Sequence, residues 1–439
     1  MIVASTTRTM SPGLLKVMER AKRDPEGRFH SLAHLIDVEA LDRAYRRARK
    51  GAAPGVDGVT KEQYGQHLQG NLQGLHQRLR ERRYRHQPIR RVHIPKGEGK
   101  TRPIGIAAFE DKVVQDAIRE VLEAIYEQDF LDVSFGFRPK RNAHDAMRAI
   151  HGMAKQGWVS CILEADIVSF FDSIDRTALM EMLQVRVADG SLLRLIGKCL
   201  HVGVLDGEEY SEPDVGTVQG SSLSPMLGNI YLHHVLDLWF ERDVKPRMRG
   251  RAWLCRYADD FAIAFELEED ARRVMEVLPK RLEKYGLTLH PDKTRIVPFR
   301  KPPSSQDGGK GPGTLDFLGF TWFWRRSRWG TWYPACKTRR ARLSRAIQSV
   351  YEFCRSHRHD PVKVQHAALV RRIRGHFNYF GVNGNAQPLA LLVQETKWIW
   401  HKWLRRRSQR TRMTGQRFMD LLRRFPLPRP RICVQIWGS

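Results

Sequence analysis

Hydrophobic and polar positions divide the first part of the chain into segments of different periodicity. Residues 12–90 have a charged, helical pattern that a Gly- and Pro-rich loop interrupts at 51–58. Two short alternating segments, 91–95 and 102–106, predict a β-hairpin, and residues 109–155 return to a helical pattern. This half of the chain therefore predicts helices around one hairpin.

Apolar strands and helices alternate in the middle of the chain. An apolar strand at 159–163 leads into Asp166, and helical patterns follow. The pattern then predicts, in order, helices to about 200 and over 225–244, strands at 253–256 and 261–265, a helix over 268–285, a strand near 294–299, a mobile loop at 301–313, and a hairpin from 317–324 and 331–333.

Beyond Pro334 the pattern is helical and strongly basic. Apolar residues recur at helical spacing over 343–354, and further helices fit 362–380 and 388–407. The predicted fold class is therefore α+β: antiparallel sheet with helices, followed by an all-helical part.

Composition narrows the class of partner. The chain of 439 residues has 75 Lys and Arg against 48 Asp and Glu, a net charge of +27. Such an excess favours a polyanion, with nucleic acid first and an anionic membrane surface second. No apolar run reaches the roughly 18 residues of a membrane span, so we expect no membrane partner. The six cysteines lack zinc spacing, which predicts reduced thiols, no zinc and a cytoplasmic location.

The turn Tyr257-Ala258-Asp259-Asp260 between two apolar strands is the sharpest chemical feature. Adjacent carboxylates repel each other unless a cation lies between them. Oxygen ligands without His or Cys favour Mg²⁺, and a third carboxylate would allow two ions to support phosphoryl transfer. Asp166, at the end of its own strand, is the best candidate. The alternative is an ordinary solvated turn.

An ordered series of motifs over roughly 45–410 resembles the bacterial group II intron-encoded reverse transcriptases and maturases. The series comprises Ala53 to Gly58, Ile94 to Lys96 with Thr101 to Ile106, Gly136 to Pro139, the Asp166 strand, Gly216 to Gly220 with Ser224-Pro225, the Tyr257 to Asp260 turn, Leu289 to Thr294, and Phe317 to Phe320. Ser221 and Ser222 depart from the family, which more often has a second glycine there.

The resemblance implies a right-hand polymerase fold with fingers, a palm and an α-helical thumb. We expect an N-terminal extension and the start of the fingers at 1–89, and the fingers and palm at 90–334. A thumb or maturase domain would follow at 335–404, and a basic DNA-binding tail at 405–439.

The resemblance also assigns roles around the active centre. Metal-binding positions are Asp166, Ile167, Asp259 and Asp260, and Lys293 could act as the general acid for pyrophosphate. Nucleotide-binding positions are Lys96, Arg102, Phe171, Gln219 and Tyr257. Phe171 would exclude a 2′-hydroxyl, although core packing is its alternative and Phe170 could be the core residue instead. Lys96 and Arg102 could instead only touch backbone phosphate.

Template and primer contacts are expected from Arg138 and from the segment Phe317, Leu318, Gly319 and Phe320, which resembles a primer grip but could equally be core. Nucleic-acid contacts in the thumb and tail are expected from Arg339, Arg342, Arg345, Arg371, Arg372, Arg374, Arg405, Arg406 and Arg407. A solvated basic face is the alternative for these arginines.

The expected function is RNA-directed DNA synthesis combined with binding of the parent group II intron RNA as a maturase. We expect two Mg²⁺ ions, with Mn²⁺ able to substitute, and as partners intron RNA, RNA template with DNA primer, dNTPs and target DNA. The sequence shows no His/Cys zinc endonuclease, and it leaves monomer or dimer open. The alternatives are a host-adopted enzyme in DNA repair or phage defence, a splicing-only maturase, and an RNA-directed RNA polymerase, which the Phe171 test would exclude.

Overall fold

The computed structural model describes residues 10–97, 100–207, 209–211, 215–217, 220–303, 312–408 and 413–438. Helices dominate both ends. Their bounds are α1 Pro12–Arg23, α2 Val38–Arg47, α3 Lys61–Gly65, α4 Leu68–Arg80, α5 Phe109–Asp129, α6 Ala143–Lys155, α7 Phe170–Ser173, α8 Arg176–Gln184, α9 Gly190–Leu200, α10 Ser224–Leu232, α11 Glu268–Glu283, α12 Arg340–Ser356, α13 Val362–Phe380, α14 Ala386–Arg405 and α15 Gly415–Arg424. Two π-helical turns, His233–Asp237 and Phe240–Val244, continue α10.

Three small sheets lie between these helices in the described ranges. Their strands are β1 Ile89–Gly97, β2 Lys100–Ile106, β3 Cys161–Ala165, β4 Val204–Asp206, β5 Glu209–Ser211, β6 Ala252–Tyr257, β7 Asp260–Phe265, β8 Arg295–Pro298, β9 Leu315–Phe317, β10 Phe320–Arg326 and β11 Trp332–Thr338. The strand orders are β2-β1-β4-β5, β6-β7-β3-β8 and β11-β10-β9. The mixture of antiparallel sheets and helices confirms the α+β class.

The N-terminal helices pack around α5, whose apolar residues are buried on nearly every face, as expected of a central helix. The entry points of α1, α2 and α3 are fixed by side-chain caps from Ser11, Asp37 and Thr60. The polar residues that α5 buries are paired, for example Glu120 with Arg47 at 2.9 Å. This packing sets the β1–β2 hairpin against the rest of the chain.

The sheet β6-β7-β3-β8 carries the catalytic candidates. All its pairings are antiparallel, and β6 and β7 join through a two-residue turn in which Tyr257 pairs with Asp260. Strands β3, β6 and β7 are buried on both faces, with α11 packed against β3 and β7 and α6 against β6, whereas the edge strand β8 is largely exposed. Buried strands of this kind hold their ends in fixed positions.

The segment 317–324 is not the single strand that the sequence predicts. Leu318 and Gly319 form a tight turn with φ of 54° and 78°, and they separate β9 from β10. The helical part also starts later than the predicted boundary at 335, because β11 continues to Thr338 and α12 begins at Arg340. The pairing of β10 with β11 extends to the partners Phe320 and Thr338, which explains the longer strand.

The end of the chain folds back over the molecule instead of forming a separate basic tail. Residues 431–437, here called the return segment, bridge Val382 through Val434. The Arg148 guanidinium of α6 donates to the Gln435 carbonyl at 3.1 Å, and Trp437 stacks on His151 at 5.1 Å. The prediction of 405–439 as one DNA-binding tail is therefore wrong for this segment, since its backbone is used to join α6 to the end of α13.

Five cysteines are buried and Cys433 is exposed, and all six are free thiols as the sequence predicts. Among the helices within the described ranges, none is long and apolar enough to cross a membrane.

Candidate active site

Strand register brings the candidate carboxylates to one place. Ala165, the last residue of β3, lies opposite Phe261 of β7, so the next residue, Asp166, faces Asp260 across the sheet edge. Asp259 occupies the turn beside Asp260, after Ala258 with φ of 57°. The three aspartates and Ile167 line a cavity of about 590 Å³. The structure thus brings together every residue that the sequence analysis assigned to metal binding.

A buried ion pair supports this turn from below. The Arg256 guanidinium donates to both Asp237 carboxylate oxygens at 2.7 and 2.6 Å, and both side chains are 0% exposed. The same guanidinium donates to Asn229 Oδ1 at 3.0 Å and to the Ala258 carbonyl at 3.2 Å. Arg256 therefore ties the backbone of the catalytic turn to α10 and its π-helical continuation.

A second segment closes against the same turn. A Cβ atom on Gly136 would lie 2.3 Å from the Ala258 nitrogen, a distance that only glycine avoids. Asn229 donates to the Gly136 carbonyl at 2.8 Å, and the Phe135 amide donates to the Arg256 carbonyl at 2.9 Å. Gly136, the first residue of the motif from Gly136 to Pro139, thus supports the backbone of the catalytic hairpin.

Burial and the repulsion between neighbouring carboxylates raise the pKa values of the two aspartates in the turn. The pKa of Asp260 is raised to about 7, first by burial and then by the Asp259 and Asp166 charges, while Lys293 and Arg342 act in the opposite direction. Burial is also the largest cause that raises the pKa of Asp259. Because Asp260 stays accessible from the cavity, water screens part of this repulsion. A site that disfavours its own charges in this way is suited to a cation.

Lys293 supplies the positive charge that contacts Asp166 directly. Its ammonium forms an ion pair with Asp166 Oδ2. In the part of the chain that the structure describes, no three His, Cys, Asp or Glu side chains are already gathered at ligand distances. A bound cation would therefore have to replace the Lys293 ammonium at Asp166. The donor set, carboxylates alone, still fits Mg²⁺.

The structure describes the side chains of three of the five expected nucleotide-binding residues. Arg102 and Phe171 line the cavity, and Phe171 is half-buried while Phe170 beside it is buried core. Tyr257 is half-buried at the end of β6, and burial raises its pKa. Lys96 lies in β1, but its side chain is outside the described residues, as is Gln219. Burial raises the pKa of Asp172, and the nearby Arg102 charge opposes part of this rise.

The segment that resembles a primer grip divides into two kinds of residue. Phe320 is buried and packs on Tyr379 and Phe380, so the core alternative holds for its side chain. Phe317 is also buried but lines the cavity, and its primer contact stays a prediction. Leu318 and Gly319 lie at the cavity wall. The Tyr379 hydroxyl donates to the Leu318 carbonyl at 2.9 Å, which fixes the turn to α13.

Arg138 is not available to a template or primer. It is buried, pairs with Glu127 at 3.1 Å and donates to the carbonyls of Leu131 and Ser134 at 2.8 and 3.0 Å. Burial lowers the pKa of its guanidinium, and Glu127 partly opposes this. The expected role in nucleic-acid binding is therefore wrong, because the described contacts of the side chain are all internal.

The thumb and tail arginines fall into three groups. Arg339 and Arg342 line the catalytic cavity, with Arg339 paired to Asp316 at 3.1 Å. For Arg407 the expected nucleic-acid contact is wrong. Its guanidinium holds a loop by donating to the carbonyls of Arg358, at 2.6 Å, and Asp360. The remaining members are exposed on helices α12, α13 and α14 and their ends: Arg345, Arg371, Arg372, Arg374, Arg405 and Arg406.

The sequence analysis missed the supporting residues Gly136, Asn229, Asp237 and Arg256 as a unit. Arg256 carried a signal, since a charge follows the apolar run Leu254-Cys255 directly before the turn. A buried charge requires a partner. Nothing in the sequence pointed to Asp237, nineteen positions earlier, as that partner.

The sheet, its carboxylate hairpin and the basic helical part define a template-directed nucleic-acid polymerase. Residues 94–322 match the family model described as reverse transcriptase (RNA-dependent DNA polymerase), and the chain belongs to this family. Its enzymatic activity is RNA-directed DNA polymerisation.

Three relatives show how far the similarity extends. Protein YkfC of Escherichia coli is 33% identical over 358 residues, 72% of this chain and 88% of that protein. The group II intron-encoded protein LtrA of Lactococcus lactis is 35% identical over 212 residues, 47% of this chain but 35% of its own length. A putative COX1/OXI3 intron 1 protein of Saccharomyces cerevisiae is 25% identical over 321 residues, 62% of this chain and 38% of that protein. The chain thus spans only about a third of the length of both intron proteins.

Proposed function

We infer that Asp166, Asp259 and Asp260 hold two Mg²⁺ ions and that the cavity between them binds the primer terminus and an incoming dNTP. The carrying observation is the convergence of the three carboxylates on one cavity whose own charges raise the pKa of Asp260. When bound, the metal ions would neutralise phosphate charge and activate the primer 3′-hydroxyl.

The remaining roles fall to the chain's own side chains around the cavity. Arg102, on the β1–β2 hairpin, would bind triphosphate oxygens through its planar fork. Phe171 would pack under the sugar and exclude a 2′-hydroxyl. Lys293, which lines the cavity and forms an ion pair with Asp166, would protonate the pyrophosphate as it leaves.

We assign β1–β2 to the fingers, the β6-β7-β3-β8 sheet to the palm and α12–α14 to the thumb. Support comes from the cavity, which residues of all three parts line: Arg102, Asp260 and Arg342. In this arrangement, the duplex would lie between the central sheet and the helical part.

Single-nucleotide primer extension on an RNA template tests the catalytic assignment. Asp259→Asn should abolish extension in Mg²⁺ without loss of template–primer binding, because it removes a ligand charge but little volume. Glu269→Gln, on the exposed face of α11, is the matched control and should extend at the wild-type rate. Wild-type extension by Asp259→Asn would refute the assignment.

We further propose that the protein binds its parent group II intron RNA as a maturase. The similarity to LtrA and to the COX1/OXI3 intron protein supports this, as do the net charge of +27 and the exposed arginines of α13. Sequencing of RNA that copurifies with the protein tests it. Enrichment of one intron RNA, lost in Arg371→Glu/Arg374→Glu but retained in Glu269→Gln, is expected; only bulk cellular RNA would contradict it.

A host-adopted reverse transcriptase is the second candidate. The observation in its favour is that the similarity to YkfC covers 88% of that protein, against about a third of the two intron proteins. Intron RNA domains in the DNA flanking the gene would favour the maturase, and their absence the host-adopted enzyme. A splicing-only maturase would fail the primer-extension assay altogether.

A further inference from the structure

Unfavourable backbone conformations concentrate around the catalytic cavity. Six described residues other than glycine have a positive φ: Arg82, Phe137, Lys140, Ser169, Ala258 and Leu318. Ser169 and Leu318 line the cavity, and Ala258 is in the catalytic turn. Such conformations persist only where the surroundings impose them, and they cluster at functional sites. Phe137 and Lys140 are the two near this site to which no role has been given.

The neighbours of Phe137 impose its conformation. On one side, Gly136 is pressed against the Tyr257–Ala258 backbone and accepts a hydrogen bond from Asn229 at 2.8 Å. On the other side, the buried Arg138 donates to the Ser134 carbonyl at 3.0 Å. With both neighbours fixed, Phe137 adopts φ of 57° and its side chain points outward.

The outward aromatic ring does not serve the core. Phe137 is 54% exposed, whereas Phe135, two positions earlier, is 9% exposed and packs in the core. Lys140, with φ of 61°, is exposed close by. The Phe137 ring is exposed one residue from the backbone contact with the catalytic turn, and the exposed Lys140 follows three residues later, which provides the two groups that bind a nucleic-acid strand. A ring stacks on a base, and an ammonium pairs with a phosphate.

We propose that Phe137 is a stacking platform for an unpaired base of the template strand and that Lys140 binds an adjacent phosphate. The base must be unpaired, because both faces of a base inside a duplex are already covered. The proposal rests on the proposed function for the position of the template. It assigns the exposed face of the Gly136–Pro139 motif to the single-stranded template, while Arg138 only anchors that motif.

Fluorescence of 2-aminopurine in the template overhang of an RNA–DNA template–primer tests the stacking. Binding by the wild-type protein should quench the probe, and Phe137→Trp should preserve quenching. Phe137→Leu should abolish it and weaken binding of the overhang roughly tenfold, the scale of one lost stacking contact. Lys140→Gln should weaken binding and reduce its salt dependence. The control Trp329→Leu removes an exposed ring elsewhere and should change nothing.

Phe137→Gly separates binding from folding. Glycine adopts a positive φ without strain, so this variant should have a higher thermal midpoint than Phe137→Leu and still lose the quenching. Neither variant should bind a blunt-ended template–primer more weakly. Wild-type quenching and affinity in Phe137→Leu would overturn the proposal, as would equal losses on blunt duplex. A wild-type protein that quenches but does not extend would instead refute the proposed function.

Discussion

Removal of the Asp237 carboxylate should destabilise the protein strongly, although it lies outside the catalytic cavity. Asp237→Ala leaves the Arg256 guanidinium buried at 0% exposure with only Asn229 and the Ala258 carbonyl as acceptors. Breaking a buried pair in this way costs about 3–5 kcal/mol. A chain of 439 residues loses about 0.9 kcal/mol of stability per degree at its midpoint, so we expect the thermal midpoint to fall by roughly 3–5 °C, as measured by heat denaturation without nucleic acid.

A double variant separates the stability of the pair from its positioning role. Asp237→Leu with Arg256→Met removes both charges and fills similar volume, so most of the midpoint should return. RNA-templated extension should stay low, because the Ala258 carbonyl and Asn229 both lose the guanidinium that holds the turn. A double variant as unstable as Asp237→Ala would refute the energetic reasoning. Full activity in the double variant would refute the positioning role.

Three further predictions concern residues of the cavity and its support. Gly136→Ala should sharply reduce extension, because the added Cβ would lie 2.3 Å from the Ala258 nitrogen; Gly152→Ala, where nothing lies within 4 Å, is the control, and equal activity of the two would contradict the reasoning. Asp260→Asn should stabilise the metal-free protein more at pH 8 than at pH 5. The reason is that the folded-state pKa of about 7 lies above the unfolded value, so charging Asp260 costs stability as pH rises from about 4 to 7. A midpoint difference independent of pH would contradict this. Phe171→Ala should admit ribonucleotides in single-nucleotide incorporation, and unchanged discrimination would remove Phe171 as the gate.

The central hairpin could be predicted from sequence because local pattern determines it. Strands at 253–256 and 261–265 are apolar and separated by only four residues, so the turn between them is local. The sequence also predicted the position of Asp166, because this residue directly follows an apolar strand. The break between β9 and β10 at Leu318 could not be predicted, because leucine rarely has a positive φ and nothing in the residue type indicates one here.

The misassigned residues were those whose partners the sequence pattern does not indicate. Arg138 and Arg407 resemble surface cations in the sequence, but carbonyls and a carboxylate that the fold brings to them hold them internally. The return segment carries one cation, Arg431, at the end of a basic stretch, and only its contact with α6 shows what its backbone does. In each case the charge was visible and the partner was not.

The rate of a single dNTP incorporation on an RNA template by Asp166→Asn, at saturating template–primer and Mg²⁺, tests the central claim most directly. Loss of one carboxylate from the three should slow incorporation by at least roughly a thousandfold, or about 4 kcal/mol, with template–primer affinity unchanged. Incorporation within about tenfold of the wild-type rate, at the same Mg²⁺ dependence, would contradict a catalytic centre built from Asp166, Asp259 and Asp260.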